Sequence, residues 1–127
     1  MLHVTPERFE ELVANALDAI PPELATAIEN VAVVVADWPT TAQLAGRPGT
    51  LLGLYEGVPL TRRDAIAYAG VLPDRITIFQ GPHERFAQSP EHLAKLVEDT
   101  VWHEVAHYFG MDELQVRTAE RRRRDSY

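Results

Sequence analysis

The segment HEVAHYFGMDE, His103 to Glu113, constrains this chain more than any other. Two histidines stand four residues apart, with a glutamate directly after the first. On an α-helix, positions four apart differ by about 40° around the axis and by roughly one turn along it, so both imidazoles project from one face. Such a pair can reach a single tetrahedral Zn²⁺, and a carboxylate beside the first ligand can reach a metal-bound water without binding the metal. The chemistry exists only if the segment is helical.

The flanking residues argue that it is. Ser89 is a good N-cap, Pro90 suits the first helical position, and Glu91 places an acid in the first turn. Leu93, Leu96, Val97, Thr100, Val101, Glu104, Val105 and Tyr108 continue at helical spacing, and Gly110 is a natural terminator.

A catalytic zinc usually has three protein ligands and one open position. The chain has no cysteine, so the third ligand must be His, Asp or Glu. Gly110 can turn the chain, because glycine accepts positive φ. Glu113, three residues further on, can then return beneath the metal and is the first choice. Asp112 is an alternative, although it is also the natural N-cap of a last helix in DELQVRTAERRRR, and Glu120 on that helix is another. Two imidazoles and a carboxylate suit one Zn²⁺ ion, and the same set can hold Fe²⁺ or Co²⁺. The bland alternative is a helix with two solvent-facing histidines and no metal.

The rest of the chain supplies a scaffold of ordinary size. With 127 residues, 46% hydrophobic and 24% charged, it is expected to form one domain over residues 1–127. Phe9, Leu12, Val13, Ala16, Leu17 and Ile20 mark a first helix, capped by Thr5 with Pro6 behind it and stopped by Pro21-Pro22. PELATAIEN could form a short second one. VAVVVADW, Val31 to Trp38, reads as a buried strand, and PTTAQLAGRPG as a loop. TLLGLYEG, Thr50 to Gly57, reads as a second strand, with Leu51, Gly53 and Tyr55 on one side. RITIFQGP, Arg75 to Pro82, reads as a third strand ended by Gly-Pro. The order predicts a small α+β domain, a short sheet backed by helices.

Net charge and terminal sequence narrow the partners. A formal charge of -7 argues against nucleic acid, and Arg121 to Arg124 read as a solvated terminal run. No apolar stretch is long enough for a membrane span, and the N-terminal residues lack the pattern of a signal peptide, so the expected address is cytoplasmic.

HEVAHYFGMDE resembles the HExxHxxGxx(D/E/H) motif of zincin metallopeptidases, and the chain looks most like a family of very small bacterial zincin-like proteins described as metallopeptidases. The resemblance extends through RFEELVANALDAIPPEL, VAVVVADWP, LLGLYEGVPLTRR and PDRITIFQGP. It implies a minimal zincin, a small mixed β-sheet packed on an N-terminal helix and an HExxH active-site helix. His103, His107 and Glu113 would bind zinc and Glu104 would be the general base. A peptide or protein substrate would add as a strand to one sheet edge, TLLGLYEG or RITIFQGP. Two departures from the larger enzymes stand out. No methionine follows Glu113, and Glu stands where those enzymes usually have His. The expected activity is therefore that of a zinc-dependent peptidase (a hydrolase), with a non-catalytic zinc-binding regulatory or interaction domain as the alternative. Tyr108, His83, Arg85 and Tyr55 are candidate oxyanion donors, each with a bland role as core aromatic or surface polar group; His3 and His92 are expected at the surface.

Overall fold

The computed structural model describes residues 2–28, 30–57 and 74–110. Helix α1 (Pro6–Asp18) starts where Thr5 accepts the Arg8 amide and Pro6 opens the first turn. It buries Phe9, Leu12, Val13 and Ala16. A short helix α2 (Pro22–Ala25) and a 3₁₀ turn (Thr26–Ile28) lead into strand β1 (Ala32–Ala36). Helix α3 (Thr41–Leu44) and strand β2 (Gly53–Glu56) follow. Strand β3 (Arg75–Phe79) runs directly into helix α4 (Gln80–Phe86), and the long helix α5 (Pro90–Tyr108) completes the described chain.

The sheet has the order β1-β3-β2, with β3 parallel to β1 and antiparallel to β2. Register places Val33, Val35, Ile76, Ile78, Gly53 and Tyr55 on one face. That face meets the core, where Ile76 and Ile78 lie with Leu93, Val97, Val101, Val105 and Tyr108 of α5 and with the buried stripe of α1. Arg75 and Glu56, paired in register, form an ion pair at 3.0 Å across β3 and β2.

Three sequence expectations need correction. Among the described residues the valine-rich β1 is an edge strand rather than a buried one, with Val34 40% exposed. The central, enclosed strand is β3, whose Ile76 through Phe79 are all buried. Gly81-Pro82 does not end that strand in a loop: the chain goes straight into α4, since proline is well tolerated in a first helical turn. PTTAQLAGRPG contains α3, whose start is a capping box between Thr40 and Gln43. Most of VPLTRRDAIAYAGVLPD and the last helix expected near Asp112 lie outside the described residues.

Candidate metal centre

The site sits at the C-terminal end of α5. Ser89 caps the helix through the His92 amide, and Gly110, at φ 81°, takes the left-handed conformation just past its end. Between those limits the helical register is unbroken, so His103 and His107 share a face, both half-buried. Their rings meet edge-on with centroids 4.8 Å apart, and Nε2 stands 3.1 Å from Nε2.

That separation tests the fit of a metal. Two bonds of about 2.0–2.1 Å at a tetrahedral angle put their nitrogens roughly 3.3–3.4 Å apart. The observed 3.1 Å is within a few tenths of an ångström of that separation. The same spacing suits an N–H···N bond between neutral imidazoles in metal-free protein. Among the described residues no group of three His, Cys, Asp or Glu forms a metal cluster. Glu113, Asp112 and Glu120 all lie outside the described residues.

Glu104 lies beside the pair but faces the sheet. It is buried, at 7% exposed. A Cβ built on Gly53 would stand 3.1 Å from its Cγ and 2.8 Å from the Thr100 methyl. Strand β2 therefore passes directly over the helix at the glutamate, an approach that only glycine permits. Next to it opens a cleft of about 450 Å³, walled by residues 50–53, Phe86, Leu96 and Asp99, with Thr100, His103 and Glu104 at its base. Its lining is mainly apolar, and Phe86 is 55% exposed at the rim.

Among the described residues the sheet edge beside the cleft is β2, since β3 is interior. Phe79 donates its amide to Leu52 O at 2.9 Å, so that opposed pair is hydrogen-bonded. By antiparallel alternation, the N–H and C=O groups of Gly53 and Tyr55 face away from β3. Among the described residues no strand pairs with that side.

None of the four candidate oxyanion donors lines the cleft. Tyr108 is buried, stacked edge-on with Tyr55 at 5.8 Å, and the Tyr55 hydroxyl donates to Asp74 at 2.8 Å. Arg85 is exposed on α4. His83, weighed as a donor against a bland role as core aromatic or surface polar group, is wholly enclosed in the core. His3 and His92 are exposed as expected. Sequence reasoning missed Gly53, although a glycine inside a strand pattern is a known sign of close backbone approach.

A small mixed sheet, a long helix beneath its edge and two histidines in that helix's last turns describe a zincin-like α+β domain. A family model described as zincin-like metallopeptidase matches residues 28–123, about three quarters of the chain, and the protein belongs to that family. The matched range includes His103, Glu104, His107 and Glu113. A comparison with curated proteins gives no match. Among the described residues no helix is long and apolar enough to cross a membrane.

Proposed function

We propose that the protein is a zinc-dependent peptidase whose general base is Glu104. The observation that carries this is the convergence of three features: Nε2 atoms 3.1 Å apart, a buried Glu104 beside them, and strand β2 passing directly above it, an edge strand among the described residues. His103 and His107 hold one Zn²⁺, with Glu113 as the third ligand. The bound metal supplies an acidified water and polarises the scissile carbonyl. The peptide lies along β2, its backbone hydrogen-bonded to Gly53 as an added strand. The apolar cleft beside His103 accepts one apolar side chain of the substrate and excludes water from it. The Glu104 carboxylate takes the proton of the attacking water at one oxygen and delivers it to the leaving amide nitrogen.

Burial suits this role. A carboxylate packed under Gly53 has little rotamer freedom, so its oxygen stays aimed while the proton moves.

The test is incubation of zinc-loaded protein with a mixed peptide library, read by mass spectrometry, against Glu104→Gln. Discrete cleavage products that fall by about 10²-fold or more in the variant are expected. Equal cleavage by both proteins would reject Glu104 as the base. Stoichiometric zinc with no cleavage at all would reassign the chain to a non-catalytic zinc-binding domain.

A further inference from the structure

The reaction above makes no use of His83, yet few side chains are held more firmly. Its ring is 0% exposed. Nδ1 lies 2.7 Å from Phe79 O at the end of β3, and Nε2 lies 2.9 Å from Thr100 Oγ1 on α5. The ring also leans on Phe9 of α1 at 5.5 Å. Enclosure penalises the charged imidazole and lowers its pKa from the ordinary 6.5. An aliphatic side chain would fill the same space without burying polar nitrogens. What the imidazole adds is direction.

Thr100 is where that direction is felt. Its hydroxyl also lies 2.9 Å from Leu96 O one turn back; with the ring's one N–H given to Phe79 O, Nε2 and Leu96 O are both acceptors for the single hydroxyl proton, and between them they hold the rotamer. Threonine in a helix otherwise divides between two χ1 wells. The methyl so placed, and the Cγ of Glu104 one turn further on, are the two side-chain atoms closest beneath Gly53, at 2.8 and 3.1 Å from a Cβ built there. The Thr100 rotamer and the depth of Glu104 under the strand are therefore set together.

We propose that His83 is a positioning residue: by fixing Thr100 it sets the height of β2 above Glu104, and so the distance from that base to a backbone bound at Gly53. The inference rests on the reading of Glu104 as base and β2 as the peptide-binding edge.

Two substitutions separate bond from bulk. The amide end of His83→Gln extends as far as Nε2 and keeps a partner for Thr100. The shorter amide of His83→Asn stops near Nδ1 and keeps only Phe79. Both lose the ring's packing on Phe9, so a purely structural role moves both alike. In NMR spectra of the zinc-free full chain, His83→Gln is expected to leave the Gly53 and Glu104 backbone signals near their wild-type positions. His83→Asn is expected to shift them and to speed amide exchange at Leu54 by about tenfold. With a peptide found by the library screen, kcat falls about tenfold in His83→Asn while KM stays within about twofold, and His83→Gln retains most of it. Should neither variant fold, Thr100→Val, which keeps the shape and the methyl beneath Gly53 but not the hydroxyl, is expected to shift the Gly53 and Glu104 signals from their wild-type positions. Equal effects of Gln and Asn, or unshifted Gly53 and Glu104 signals in Thr100→Val, overturn the proposal. A wild type that cleaves nothing counts against the peptidase reading instead, and the spectra alone then decide the role of His83.

Discussion

At the residue scale, Gly53 and His83 carry the sharpest consequences. Gly53→Ala would force a methyl within 2.8 Å of Thr100 Cγ2 and 3.1 Å of Glu104 Cγ, with Thr77 O only 3.3 Å away on the other side. The strand must lift, at a cost of about 1–3 kcal/mol by urea titration. Zinc content stays unchanged, because His103 and His107 lie on the other element, while peptide turnover drops by more than about tenfold. A variant with wild-type turnover would mean that β2 does not set the position of the base. His83 makes a pH prediction. Its folded pKa lies below the unfolded 6.5, because burial opposes the charged ring. Between those two values the unfolded chain binds more protons than the folded one, so stability rises with pH there. The contribution is therefore complete above about 6.5 and is lost as pH falls from there through the lowered folded value. Urea midpoints measured across pH 7 to 5 should show this slope in wild type and a shallower one in His83→Gln; identical slopes would contradict it.

At the element scale, α5 carries both the core and the site, and its two ends can be tested apart. Ser89→Ala removes the N-cap that accepts the His92 amide and should cost about 1 kcal/mol. Leu93→Ala opens a cavity at a residue 1% exposed and should cost roughly 2–4 kcal/mol. Neither should lower zinc stoichiometry at pH 7, since the histidines lie in the last turns; loss of zinc in either folded variant would show that site and helix start are coupled. Helix ends were the legible part of the sequence. Thr5, Ser89 and Gly110 act locally, through hydrogen bonds or φ values that one residue determines, and each ends its helix as read. Strand order was not legible. The run of valines in β1 signalled burial, yet among the described residues pairing places β1 at an edge and the more polar RITIF in the centre. Apolar character records which residues can be enclosed, whereas sheet position depends on partners distant in sequence. The Thr40–Gln43 capping box was present in the letters, but a helix of four residues leaves too little periodicity to be seen.

At the scale of the whole molecule, the chain is a small zincin-like domain in which one helix and one strand edge come together over Glu104. The motif HEVAH made the metal reading legible because its chemistry is written in i, i+4 spacing. The wall opposite the helix was not, because Phe86 and residues 50–53 meet only after β2 pairs with β3. A metal that binds the folded state alone should stabilise the whole domain, by about 2.7 kcal/mol at hundredfold excess over Kd. Thermal unfolding with and without a chelator reads this, and equal midpoints would exclude a tight site. The measurement closest to the central claim is zinc per chain by elemental analysis on purified wild type, His107→Ala and Glu113→Ala. The account predicts about one zinc in the wild type, none in His107→Ala and weakened retention in Glu113→Ala. No zinc in the wild type after zinc is supplied, or unchanged zinc in His107→Ala, would contradict it.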